Sequence, residues 1–184
     1  MIVFYGFIIL VAVLVVWVIG KYNSLITLRN QVTNGWKQID VQLKRRHDLI
    51  PNLVETVKGY AAHEKGTFEN IAKWRSAAMQ ATEPGARVEA EGMLTQALRG
   101  LLAVAENYPQ LRASEQFTSL QASLNEVEGA LQNSRRYYNA VVRDFNTKLE
   151  VFPSNLIAGM FKFTPKPFFE VSTAAERENV AVKF

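Results

Sequence analysis

Residues 1–20 read MIVFYGFIILVAVLVVWVIG, a run without charge or proline that is dominated by Val, Ile, Leu and aromatic residues. At about 1.5 Å of rise per residue, twenty helical residues span roughly 30 Å, the thickness of a bilayer's hydrocarbon core. No other stretch is long and apolar enough to do this. The reading of these residues therefore decides the architecture: a membrane anchor followed by a polar, helix-rich domain.

The run does not have the form of a cleaved signal. A secretory signal needs a basic n-region, an apolar core of roughly 7–15 residues and a small-residue cleavage site. Here only the α-amino group precedes a longer apolar run, and Trp17-Val18-Ile19 offers no such site. Trp17 and Tyr22 suit an interfacial aromatic belt, and Lys21 marks the water side. From Lys21 to Arg46 the charges are Lys21, Arg29, Lys37, Lys44, Arg45 and Arg46 against the single acid Asp40. Basic flanks stay cytoplasmic, so the N-terminus is expected outside, with the rest of a single-pass protein in the cytoplasm.

Beyond the anchor roughly 160 residues remain, enough for one domain with its own core. The complete lack of Cys removes disulfides, thiolate catalysis and Cys-based metal sites together. The net charge of +4 is modest and is concentrated beside the anchor, which fits topology and anionic lipid better than nucleic acid.

After Gly20 the helical period continues. Tyr22, Leu25, Arg29, Val32, Trp36, Ile39 and Leu43 follow 3-4 spacing and, apart from Arg29, form one apolar seam. Gly35 is a weak point rather than a terminator. At Arg45-Arg46-His47-Asp48-Leu49-Ile50-Pro51-Asn52 a break is expected, because Pro51 removes a donor and disfavours helix at Ile50. Asp48 would cap the new helix; one continuous, kinked helix is the alternative.

A second helix is predicted from Leu49 to about Ala81, on Val54, Val57, Ala61, Glu64, Phe68, Ile71, Arg75 and Ala78. Its charged seam residues, Glu64 and Arg75, are expected at the stripe's edge or paired across helices. Thr82-Glu83-Pro84-Gly85 is a turn signal. A third helix follows over about 86–106, ended by Asn107-Tyr108-Pro109. A fourth, from Leu111 to Glu150, carries the cleanest seam: Phe117, Leu120, Leu124, Val127, Leu131, Ser134, Tyr138, Val141 and Phe145. It would reach roughly 60 Å, far beyond the third, so part of it should overhang or pack on another subunit.

The segment from Phe152 to Phe169 is apolar and punctuated by Gly and Pro, and five Phe in such a stretch should pack on the bundle, a neighbour or the membrane interface. If the chain turns at Pro51, the fourth helix brings these residues back to the bilayer. If Pro51 only kinks one helix, they end far from it. The last residues, Val171 to Phe184, are expected to be mobile.

Several local motifs occur together. Tyr22-Asn23-Ser24-Leu25 follows the anchor, then Arg46-His47-Asp48-Leu49-Ile50-Pro51-Asn52-Leu53-Val54, Val57-Lys58-Gly59-Tyr60-Ala61 and His63-Glu64. Further on come Glu106-Asn107-Tyr108-Pro109, Tyr138-Asn139, Asn146-Thr147 and Phe152-Pro153-Ser154. In this order, over nearly the whole chain, they resemble the LemA family of bacterial membrane proteins. The resemblance implies an anchored helical bundle in a bacterial inner membrane, with a small external N-terminus and the bundle in the cytoplasm. It carries no reaction and hence no catalytic residues.

The residues themselves offer little chemistry. His63-Glu64 is followed by Lys65-Gly66-Thr67, so the two-histidine zinc motif is not completed, and His47 has no third ligand at helical spacing. Both histidines are expected at helix surfaces or termini. No nucleophile elbow and no phosphate loop occur. Arg135-Arg136-Tyr137-Tyr138-Asn139 mixes basic and aromatic side chains, but helical spacing sends Tyr138 to the core and the arginines to a solvated face.

The expected fold is all-α: a transmembrane helix (1–20) continuous with a long-helix antiparallel bundle (21–151) of four or alternatively three helices, then a Phe/Pro-rich tail (152–184). The leading function is a membrane-anchored scaffold or adaptor that self-associates and presents its bundle to membrane proteins. A lipid-binding or membrane-shaping role through the basic juxtamembrane helix and the tail is the alternative, and a hydrolytic enzyme the least supported. Expected partners are the lipid bilayer, further copies of the chain and membrane proteins. Nucleic acid, small-molecule substrate, cofactor, metal and catalytic residues are not expected.

Overall fold

A computed structural model describes Met1–Phe169, apart from the side chains at positions 2 and 84. The mobility expected for Val171 to Phe184 concerns residues outside this range. The elements are α1 (Ile2–Lys58), α2 (Lys65–Gln80), α3 (Pro84–Glu106), α4 (Pro109–Arg112), α5 (Glu115–Glu150) and α6 (Ser154–Met160), with no strand among the described residues. The fold is all-α, as the periodicity predicts.

The chain forms two compact units. The first joins Met1–Val41 to Gln132–Phe168, and the second comprises Gln42–Leu131 together with Phe169. In the first, the α1 seam residues Leu25, Val32 and Ile39 are buried, as are Tyr138, Val141, Val142 and Phe145 of α5. Gly35 lies where the two helices meet closely: a Cβ there would stand 3.4 Å from the Tyr138 Cα, and the Trp36 and Tyr138 rings meet edge-on at 5.4 Å. This part of α5 packs on α1, so the excess length of the fourth helix is absorbed within the chain. Neither an overhang nor a second subunit is needed to cover it.

In the second unit Ile50, Leu53, Val57 and Ala61 pack with Phe68 and Ile71 of α2, Leu94, Leu98, Leu101 and Ala105 of α3, Leu111, and Phe117 and Leu124 of α5. Full burial of each large aliphatic side chain contributes about 1.5–3 kcal/mol, which makes this the energetic centre of the unit. The helix predicted to begin at Leu111 starts instead at Glu115, after the short α4. The Ser114 hydroxyl oxygen accepts the Phe117 N–H at 3.4 Å, as an N-cap does.

The break expected at Pro51 is absent, because α1 passes through Pro51 and ends at Lys58. Proline lacks the N–H that would bond the carbonyl four residues back, which is that of His47. Arg75 Nε of α2 donates to this carbonyl at 3.0 Å, so a neighbouring helix replaces the missing donor. The chain turns at Gly59, where the Tyr60 and Ala61 N–H groups both donate to the Val57 carbonyl, at 3.0 and 2.9 Å. Glycine costs about 1 kcal/mol in a helix interior relative to alanine, which makes Gly59 a suitable exit. The single helix predicted over Leu49–Ala81 is therefore two pieces, the end of α1 and α2. The inference that continuity through Pro51 would leave the Phe-rich segment far from the membrane fails with it. That segment returns to α1, with the Phe161 ring 4.6 Å from the Tyr22 ring.

The short α6 is a finding the sequence pattern did not predict. The Ser154 hydroxyl, buried beyond the end of α5, donates to the Lys148 carbonyl at 2.7 Å and stands 2.9 Å from that of Val151, which also accepts the Asn155 N–H at 3.0 Å. At the other end Lys162 adopts φ 54°, Phe163 N–H donates to the Ala158 carbonyl at 2.9 Å and Lys162 N–H to that of Gly159 at 3.2 Å. These two bonds make a Schellman termination, with lysine in the left-handed position that glycine usually takes.

Candidate functional site: an exposed apolar helix and a buried charged cluster

Two places in the molecule carry more than packing. The first is the start of α1. The helix contains a segment long and apolar enough to cross a membrane, and none of that segment is buried inside the protein. Backbone groups in the hydrocarbon core must be satisfied internally, and an unbroken helix does this. Lys21 Nζ lies 5.7 Å from the Trp17 ring centre, a cation–π contact at the boundary between the apolar run and the polar chain.

Beyond that boundary the extended segment after α6 is fastened to α1 and α5. The Phe163 ring meets those of Tyr22 and Phe145 at 6.0 and 6.3 Å, and the Arg29 guanidinium stands 5.7 Å from its centre. This explains how Arg29 occupies a position in an apolar seam: the residue is exposed and its head rests on an aromatic face. The Asn146 side-chain amide donates to the Lys166 carbonyl and accepts the Lys166 N–H, both at 2.9 Å, holding an extended backbone as a neighbouring strand would. The Tyr138 hydroxyl donates to the Pro167 carbonyl at 2.9 Å, and burial pushes its pKa above the ordinary 10.0. Tyr138 is in the core as predicted; Arg136 is exposed, whereas Arg135 is half-buried rather than fully solvated.

The second place lies in the other unit and centres on Arg46, whose side chain is completely buried. Its Nη1 pairs with Glu91 Oε2 at 3.1 Å, its Nη2 donates to Thr95 Oγ1 at 2.7 Å, and its Nε approaches Glu128 Oε1 at 2.8 Å. His47 Nε2 lies 2.8 Å from the other Glu91 oxygen. The Glu128 approach is close in distance but out of line with the Arg46 Nε–H direction, so it acts as a charge contact, and the His47 approach is likewise not a well-aligned hydrogen bond. Thr95 Oγ1 donates onward to the Glu91 carbonyl at 2.9 Å. The cluster ties α1 to α3 and α5.

His47 is therefore not the surface or terminal histidine expected from its sequence context; it is buried against a carboxylate. His63 does lie exposed, in the turn before α2. Among the described residues no three His, Asp or Glu side chains are arranged to hold a metal ion. Arg75 pairs across helices, as expected for a charged seam residue, but its partner is a backbone carbonyl.

The sequence does carry a signal for Arg46. Continuing the 3-4 count from Ile39 and Leu43 gives Arg46, Ile50, Leu53 and Val57, so an arginine sits in line with the core. The break expected at Pro51 cut the count short. A buried charge must be paired, which would have required acids elsewhere on the seams, though not which ones.

A family model described as the LemA family matches residues 35–184. Two relatives from Paramagnetospirillum magneticum, magnetosome proteins MamQ 1 and MamQ 2, are each 24% identical over 182 residues, covering 85% of this chain and 67% of theirs. Protein LemA of Metamycoplasma hominis is 26% identical over 159 residues, covering 84% of this chain and 71% of its own.

Proposed function

The chain belongs to the LemA family, and from that premise we propose that it is a single-pass, membrane-anchored helical scaffold that self-associates and presents its bundle to membrane-protein partners, without catalytic chemistry of its own. The observation that carries the reading is α1 itself. One helix from Ile2 to Lys58 holds both an exposed apolar segment and the buried seam residues Leu25 to Val57. A tether joined by a flexible linker would leave its domain free to rotate; this helix runs unbroken from the apolar segment into the core that Leu25, Val32 and Ile39 form.

The chemistry of the buried cluster supports a structural role. Both Glu91 oxygens are occupied by Arg46 and His47, leaving Glu128 as its partly solvated member. Such a cluster fixes helix register. Lys21, Arg29 and Lys37 follow the apolar run without an intervening acid, which supports an external N-terminus and a cytoplasmic bundle. Self-association draws support from confinement, because anchored chains diffuse in a plane and meet at raised effective concentration.

The chain has no cysteine, so single introduced thiols test both parts of the proposal. An impermeant maleimide applied to intact cells should label Ile2→Cys and leave Gln132→Cys unmodified; the reverse pattern would overturn the orientation. Crosslinking in native membranes should yield higher-order species. A monomer in mild detergent that captures no partner would sink the scaffold reading.

A further inference from the structure

The fold leaves one face of α6 uncovered. Ile157 and Ala158 are buried, whereas Leu156 is 60% exposed, Met160 70%, and Phe152, just ahead of the helix, 78%. From Val151 to Phe161 there is no charged residue. A contiguous apolar surface of this kind marks an interaction site rather than a solvated one.

Its position identifies the occupant. The Phe161 ring, directly after α6, packs at a tilt against that of Tyr22, two residues beyond the uncharged run that ends at Gly20. At about 1.5 Å of rise per residue, Tyr22 stands only about 3 Å further along the helix axis than Gly20. The uncovered face is thus continuous with the place where α1 leaves the bilayer. Lys148, Lys162 and Lys166 flank it in sequence, with Glu150 as the one acid between Phe145 and Phe169. Apolar residues edged by lysines suit the boundary between acyl chains and anionic headgroups.

We infer that α6, together with Phe152, is a second membrane contact: it lies in the headgroup region and turns Phe152, Leu156 and Met160 toward the acyl chains of phospholipids. The inference rests on the reading that α1 spans the bilayer. Its consequence is mechanical. The chain is held at the surface at two points, α1 and α6, joined through Tyr22, Phe161 and Phe163, so the angle at which α1 leaves the membrane is restricted.

The test uses the full chain in vesicles of phosphatidylethanolamine and phosphatidylglycerol, with an environment-sensitive fluorophore on one thiol at a time: Leu156→Cys, Met160→Cys, Gln132→Cys or Val11→Cys. Leu156 and Met160 are exposed, so their replacement leaves the core intact. At both positions the emission should shift to the blue, be quenched by brominated acyl chains and lose access to aqueous iodide. The Gln132 probe should show the opposite. Iodide access at Leu156 and Met160 matching that at Gln132 would overturn the inference, and so would shielding from both quenchers, the result if a second copy or another protein covers the face. The Val11 probe separates the two readings. If it is lipid-quenched while the α6 probes are not, the interfacial contact alone fails; if Val11 escapes lipid quenching, the spanning reading fails and the inference with it.

Discussion

Glu91 receives two side chains from adjacent positions of one helix, since Arg46 and His47 approach its two oxygens from inside the core. Removing one partner of a buried pair strands the other, at a cost of about 3–5 kcal/mol. Glu91→Ala should lose stability on that scale in urea titrations of the detergent-solubilised protein. Replacing Arg46 and Glu91 together by Met and Leu should lose markedly less, since apolar replacement of a whole buried pair is often neutral. Tyr138 makes a different prediction. Burial raises its pKa above 10.0, so the fold favours the neutral phenol. That contribution is fully present below pH 10.0 and is lost as pH rises through the folded-state value. Tyr138→Phe should cost about 1 kcal/mol at neutral pH, through loss of the bond to the Pro167 carbonyl. Its stability should then fall less steeply than the wild type's above pH 10.0, which a pH series of thermal melts would reveal.

At the scale of elements, α1 tolerates Pro51 because α2 supplies a donor. Arg75→Ala should cost about 1–3 kcal/mol, the price of an unsatisfied, partly buried carbonyl at His47. In a Pro51→Ala background the restored N–H at position 51 can bond that carbonyl, so Arg75→Ala should cost clearly less. A double-mutant cycle measures the coupling, and strict additivity would show that the two features are unrelated. The same logic explains why the turn falls at Gly59. A proline whose orphaned carbonyl has found a partner need not end a helix, whereas an exposed glycine followed by the buried Ala61 gives the chain an exit.

At the scale of the molecule, the uncovered residues of 1–20 and the packed seam beyond them belong to one helix but to different solvents. A chain beginning at Lys21 should keep its helicity by circular dichroism and unfold cooperatively, because Leu25, Val32 and Ile39 retain their burial. It should also be extracted without detergent. Loss of cooperative unfolding on that deletion would mean that the apolar segment contributes to the fold itself, beyond anchoring it.

The amino-acid sequence by itself determined whatever is local or periodic. The uncharged run of 1–20, the seam from Leu25 to Leu43, the break between the second and third helices (though Pro84 and Gly85 of the turn signal open α3) and the third helix ending at Glu106 can each be recognised within a few turns of chain, since helical spacing and turn chemistry act over that distance. Tertiary structure decided the rest. Arg46 is acceptable in a seam only because Glu91 and Thr95, 45 and 49 residues away, receive it. Pro51 is acceptable in a helix only because Arg75, 28 residues beyond His47, bonds the His47 carbonyl that the proline leaves open. The Phe-rich segment has a place because Asn146 and Tyr138 hold its backbone against α5. A proline, a buried charge or an open carbonyl costs energy until a partner arrives, and these partners are brought by folding, from positions that no local pattern marks.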